Sequence, residues 1–224
     1  MHSFALLNDR RGPGTLAFLA LLLAGGILLD GCSRSSSSSS SEATAAPDAG
    51  STAPAPAMTI APRDAVPIRI TTAQGTIDVV LDKTHTPKTT ANFLHYVDTG
   101  FYNGGTFFRA VPGFVIQGGN KTRERLTDPK IPLEGPIKTG LRNLDGAISM
   151  ARTEDPNSAT SEFYICDGDQ PSLDGSMSEP GYAAFGHVTK GMDVVRKIVN
   201  LPAANQMLNK PVPIVRIARV APGS

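Results

Sequence analysis

From Tyr102 to Gly119 the chain reads Tyr-Asn-Gly-Gly-Thr-Phe-Phe-Arg-Ala-Val-Pro-Gly-Phe-Val-Ile-Gln-Gly-Gly, and two of its side chains stand apart from the rest. Arg109 and Gln117 are strong hydrogen-bonding groups set among Phe107, Phe108, Phe114, Val115 and Ile116. Burying an arginine or an amide is costly unless each has a hydrogen-bonding task. Such a pair describes a hydrophobic cleft with two fixed polar groups, able to hold an apolar ligand and present a cationic donor to it. The other reading is a barrel strand whose arginine lays its stem on apolar surface and keeps its head in water. Composition alone does not choose between them.

Elements must exist to hold these residues. Ile68–Thr71 and Thr76–Leu81 alternate at period two across Ala73-Gln74-Gly75, a hairpin signal. Thr86-Pro87 opens a helix, with proline in the first turn where its missing N–H costs nothing. Thr90, Phe93, Leu94, Val97 and Phe101 give that helix an apolar stripe, and Gly100 marks its end. Six more strands are expected at Thr106–Val111, Phe114–Gln117, Ala147–Ala151, Glu162–Cys166, Ala183–Val188 and Ile214–Val220, with a second amphipathic helix at Met192–Val199. Eight short strands and two helices predict a mainly β fold: a closed, eight-stranded antiparallel barrel with two helical caps.

Composition removes several functions. Lys+Arg number 21 against 20 Asp+Glu among 224 residues, so there is no basic excess of the kind a nucleic-acid binder carries. Two cysteines and four histidines with no ligand spacing make neither a disulfide scaffold nor a zinc site, and no metal is expected. No G-x-S-x-G elbow supports a serine hydrolase.

The N-terminal third has a different texture. Arg10 and Arg11 precede an apolar run from Leu16 to Leu29, shorter than the roughly 20 residues a spanning helix needs, which describes an export signal over residues 1–31. Leu29-Asp30-Gly31-Cys32 resembles a bacterial lipobox, although Asp30 is atypical. That resemblance implies a lipid on Cys32, leaving Cys166 as the one remaining cysteine. Residues 32–65, with seven serines from Ser35 to Ser41 and then Ala/Pro/Thr-rich chain, read as a tether too poor in apolar surface to fold. The expected organisation is a lipid-anchored envelope protein, in the outer membrane facing the periplasm, whose folded domain spans residues 66–224. Its only expected contact with the membrane is that lipid, and the domain is expected to be monomeric.

The Tyr102–Gly119 segment is similar to the signature of the cyclophilin-type peptidyl-prolyl cis-trans isomerases. The similarity continues through Ser149–Thr153, Asn157–Ile165, Leu173-Asp174-Gly175 and Tyr182–Gly186, in order and at family spacing, and is greatest to the bacterial periplasmic branch. It implies a residue-by-residue assignment. Arg109 takes the place of the catalytic arginine and Gln117 that of the glutamine that binds the substrate backbone. Phe114, Val115, Tyr164 and Leu173 fall on the proline pocket, with Phe163 and Tyr182 among the substrate contacts. Ala151 and Arg152 fall where the substrate backbone pairs. Phe108, Val115, Glu162, Tyr164 and Ser172 depart from the usual histidine, methionine, glutamine, phenylalanine and bulky aromatic. The last substitution is expected to leave one side of the pocket open.

The activity so implied suits an arginine. An X-Pro bond rotates over a barrier of about 20 kcal/mol because its C–N bond has partial double-bond character. No bond is made or broken, so no cofactor is expected. The partners implied are proline-containing polypeptides. The rival reading is a chaperone or adhesin module that binds proline segments with little turnover.

Overall fold

The computed structural model describes residues 65–125 and 128–221. The export signal, Cys32 and the tether up to residue 64 lie outside the described residues. The first two strands, β1 (Ala65–Thr72) and β2 (Gly75–Asp82), pair antiparallel around the two-residue turn Ala73-Gln74. Their alternation sends Ile68, Ile70, Ile77, Val79 and Leu81 into the core. Cross-strand Arg69 and Asp78 face outward and form a bidentate ion pair, with contacts of 2.6 and 3.0 Å.

Helix α1 (Pro87–Asp98) follows and stops just before Gly100, the expected end, which takes a φ of +62°; Phe101 of the expected apolar stripe lies beyond the helix and is still buried. Its N-terminus has no side-chain cap from Thr86. Instead the buried Glu134 carboxylate accepts from the backbone N–H groups of Lys88 and Thr89, at 3.2 and 2.8 Å. Negative charge at a helix N-terminus satisfies orphan donors and complements the helix dipole. Phe93 carries the helix into the core, edge-on to Phe163 with ring centres 5.4 Å apart.

The remaining elements are β3 (Thr106–Val111), β4 (Val115–Gly119), the one-turn α2 (Pro136–Thr139), β5 (Ala147–Met150), β6 (Phe163–Cys166), β7 (Ala184–Lys190), α3 (Met192–Val199), β8 (Ala203–Ala204) and β9 (Met207–Arg219). The strand order is β1-β2-β7-β5-β6-β4-β3-β9, and β1 pairs with β9 to close the ring. Eight antiparallel strands form the barrel, as expected; the two-residue β8 pairs only with β9, outside it. Helix α3 buries Val194, Val195, Ile198 and Val199, and packs against β2, β3 and β4.

The strand expected at Ile214–Val220 begins seven residues earlier. Pro211 and Pro213 obscure its start in the sequence, since proline withholds a ladder donor. The strand nevertheless runs on past them, pairing Pro213 with Thr106 on β3 and Ile217 with Ile70 on β1. Glycine also has a packing role beside the site. A Cβ on Gly118 would lie 2.8 Å from the Phe107 ring and 3.0 Å from the Thr106 carbonyl. Only glycine lets β4 lie this close to β3.

Candidate active site

Arg109 on β3 and Gln117 on β4 are direct partners in the antiparallel register. Gln117 is in turn opposite Tyr164 on β6. Side chains on one face of neighbouring strands meet across the ladder, so three adjacent strands bring Arg109, Gln117 and Tyr164 to one patch of the barrel's outer surface. The turn between β3 and β4 adds Phe114, with Gly113 at a φ of +69° and the Phe114 N–H bonded to the Val111 carbonyl at 3.0 Å. Val115, Ala147, Tyr164 and Cys166 form a small buried cluster, and Phe114, Ala151, Leu173 and Tyr182 pack on it.

These residues enclose a cavity of about 280 Å³. It is lined by Arg109, Phe114, Val115, Gln117, Ala151, Arg152, Tyr164, Leu173 and Tyr182. Nine of the ten expected site residues are thus brought together. The tenth is corrected: Phe163 is fully buried in the main core among Phe93, Tyr102 and Phe107. Neighbours on a strand point to opposite faces, so Phe163 points inward because Tyr164 points out.

Arg109 donates from Nη1 to Gln117 Oε1 at 3.3 Å, and its guanidinium lies 5.8 Å from the Phe114 ring centre. Half-burial pulls its pKa below the ordinary arginine value. Gln117 donates from Nε2 to Glu162 Oε2 at 2.7 Å. An ionised carboxylate only accepts, so Glu162 turns the amide oxygen of Gln117 toward Arg109. Burial raises the Glu162 pKa, while Lys121, 3.7 Å from Glu162 Oε1, opposes the shift. Lys121 also lies over the Phe108 ring at 4.0 Å, which gives that departure from the family pattern a packing role.

Arg152 contributes differently from its neighbours. Its guanidinium stacks on Tyr182 at 4.3 Å and donates to the carbonyls of Pro180 at 2.8 Å and Thr153 at 2.8 Å. The side chain therefore latches the segment before Tyr182 onto the cavity rim. The Ala151 N–H is occupied by the Glu162 carbonyl at 2.9 Å. No described residue hydrogen-bonds the Arg152 backbone, which is open to an extended peptide.

Two residues that the sequence reading did not find complete the site. Asn143, fully buried, accepts on Oδ1 from Ser149 Oγ at 2.7 Å and from Tyr164 Oη at 2.9 Å. Its Nδ2 donates to Asp174 Oδ1 at 3.0 Å, so one amide ties the Tyr164 wall to the turn carrying Leu173. Gln206 accepts on Oε1 from Arg109 Nε at 2.9 Å and Nη2 at 2.6 Å. The sole signal for Gln206 is the Asn205-Gln206 pair in a stretch without strand alternation, a weak cue to a turn. Ser172 is exposed on the 3-10 turn Pro171–Leu173 and does not line the cavity.

With this geometry in place, the similarities are specific. Residues 67–221 match the family model for the cyclophilin type peptidyl-prolyl cis-trans isomerases. The peptidyl-prolyl cis-trans isomerase A of Dickeya dadantii is 43% identical over 141 residues, covering 62% of this chain and 73% of the relative. A peptidyl-prolyl cis-trans isomerase of Acinetobacter baylyi is 40% identical over 147 residues, covering 65% and 78%. The crystal structure of a Cryptosporidium parvum cyclophilin type peptidyl-prolyl cis-trans isomerase in the presence of the dipeptide Ala-Pro superposes with a TM-score of 0.62. It is 26% identical, and the match covers 69% of this chain and 99% of that one. An eight-stranded barrel with this cleft on its outer wall defines a class of rotamase. The chain belongs to the cyclophilin-type peptidyl-prolyl cis-trans isomerase family and is an enzyme of that kind.

Proposed function

We propose that Arg109 accelerates X-Pro rotation by stabilising the twisted imide, and that the substrates are proline-containing segments of exported proteins. The observation that carries this reading is the Arg109–Gln117 pair at the edge of an apolar cavity of about 280 Å³. In the twisted state, conjugation is lost and the proline nitrogen becomes pyramidal and regains a lone pair. A fixed guanidinium meets that lone pair as a donor and meets the planar ground state less well. Only interactions stronger in the transition state raise the rate. Phe114, Val115, Tyr164 and Leu173 grip the proline ring while the preceding residue turns, and the open Arg152 backbone holds the chain before proline. A barrier lowered by about 7 kcal/mol corresponds to roughly 10⁵-fold acceleration.

The domain works, in this proposal, at the cell envelope as a monomer, tethered to the outer membrane by a lipid on Cys32 and facing the periplasm. The Leu29–Cys32 motif and the Ser-rich chain after it support that placement. Mass spectrometry of the mature protein is expected to find a lipid-modified Cys32 at its N-terminus, and Cys32→Ala is expected to release it from membranes. An unmodified N-terminus elsewhere contradicts the anchor.

The binding-module reading has one observation in its favour: exposed Ser172 supplies no aromatic wall. A protease-coupled assay on proline tetrapeptides separates the two. Catalytic turnover well above the uncatalysed rate, which takes roughly tens to hundreds of seconds, is expected. Peptide binding without such acceleration contradicts the enzyme.

A further inference from the structure

We propose that Gln206 is a positioning residue for Arg109, holding the guanidinium side-on without neutralising it. This rests on the reading of Arg109 given above. β8 and β9 are joined by Asn205 and Gln206, with Ala204 paired to Met207 across the turn. Both turn residues have positive φ, 49° and 68°, and neither is glycine. A two-residue hairpin of this kind favours Asn-Gly, because the second central position suits a residue without a Cβ. Asn205 fits that rule and Gln206 does not. An unfavourable backbone conformation kept beside an active site points to what the side chain does there.

Two contacts hold Gln206 where it is. Its carbonyl accepts from the Ala110 N–H at 2.9 Å, fixing the turn to β3 one residue beyond Arg109. Its side-chain oxygen receives both Arg109 Nε at 2.9 Å and Nη2 at 2.6 Å. A guanidinium has five N–H donors in a rigid plane. Gln206 takes two, Gln117 takes one from Nη1, and one N–H remains on each terminal nitrogen. With the plane gripped on two sides, those two donors have a fixed direction.

Charge supports the same reading. Among the described residues no carboxylate lies within ion-pair distance of Arg109, whereas the arginines that do form ion pairs, Arg69, Arg142, Arg196 and Arg219, each face an aspartate. A neutral amide oxygen orients the guanidinium and leaves its positive charge for the substrate. A carboxylate in the same place would orient it equally well and offset that charge.

The test uses the full chain and a proline tetrapeptide, with cis–trans exchange measured by NMR, peptide affinity by titration and thermal unfolding alongside. Gln206→Gly relieves the backbone and removes the clamp, so exchange is expected to slow about tenfold, with affinity within about twofold and unfolding temperature no lower. Gln206→Glu keeps the grip and adds the charge, and is expected to slow exchange by a similar factor. Asn205→Gly retains Gln206 and is expected to match the wild type. Arg109→Ala in the same series separates the two readings. If it is inactive while Gln206→Gly is fully active, the clamp is wrong and the arginine stands. If Arg109→Ala is fully active, both fail. A Gln206→Gly variant that loses affinity and rate together marks a structural turn and also overturns the proposal.

Discussion

Arg109 and Gln117 face each other across β3 and β4, one rung of the ladder, with the amide oxygen of Gln117 accepting from the arginine at 3.3 Å. That oxygen points to Arg109 because Glu162 takes the amide's N–H at 2.7 Å. The site's polar order is thus written through three side chains, Arg109 on β3, Gln117 on β4 and Glu162 just before β6. Replacing Glu162 by glutamine, which can still accept, is expected to keep turnover within about threefold. Leucine, which cannot accept, is expected to lower it further and to weaken peptide binding, since Gln117 is then free to turn. Turnover and titration on Glu162→Gln and Glu162→Leu check this; equal activity in both contradicts the role of Glu162.

Glu134 should matter for stability and little for chemistry. It is buried and caps α1 through two backbone N–H groups and the Thr89 hydroxyl at 2.8 Å. Glu134→Ala leaves those donors unsatisfied and is expected to destabilise the domain by about 1–3 kcal/mol. Denaturant unfolding measures the loss, and turnover well below the transition should stay near the wild-type value. An unchanged midpoint contradicts the capping role.

Acid should destabilise the fold through particular pairs. Hydrogen bonds from Arg69 and Arg219 hold Asp78 and Asp98 below the usual carboxylate pKa. Their contribution is present above the unfolded-state value, near pH 4, and is lost as pH falls through the folded values. Burial raises Glu162, so its contribution has the opposite sign: present below the unfolded-state value and lost as pH rises through the folded one. Unfolding temperatures recorded from about pH 3 to 7 should therefore fall on the acid side in the wild type. Asp78→Asn should flatten that fall and Glu162→Gln should steepen it. The Asp98–Arg219 pair is half-exposed, and its share should shrink with salt. An Asp78→Asn profile parallel to the wild type contradicts the assignment.

Cys166 ends β6 fully buried, and burial pushes its thiol up to about 12. The thiolate is the reactive form. With Cys32 lipidated as proposed, the native protein at about pH 8 is expected to leave a thiol reagent unconsumed, and the unfolded protein to consume one equivalent. Rapid native labelling contradicts this placement.

Much of the barrel was legible because period-two alternation and helical stripes are local signals. β3 and α3 match their expected limits at both ends. What failed was non-local. β9 hid behind Pro211 and Pro213, which propensity treats as breakers, although the strand runs through them and pairs with β3 and β1. The walls of the site followed from a family pattern that fixes positions along the chain. Phe163 shows its limit, because being next to a pocket residue on a strand means facing away from the pocket. Asn143 and Gln206 were missed for a related reason. Each works through contacts across long loop separations, Gln206 lying 97 positions from Arg109, and neither lies in a periodic segment.

The central claim is that one guanidinium supplies the rate, and exchange spectroscopy on a proline tetrapeptide with wild type, Arg109→Ala and Arg109→Lys tests it most directly. Arg109→Ala is expected to slow catalysed exchange on the order of 10²-fold or more, as when a preorganised donor is removed. Arg109→Lys should recover little, because an ammonium lacks the planar fork that Gln117 and Gln206 grip. Unfolding temperatures should stay close to the wild type in both variants. A folded Arg109→Ala protein that still exchanges the peptide at the wild-type rate would contradict the account.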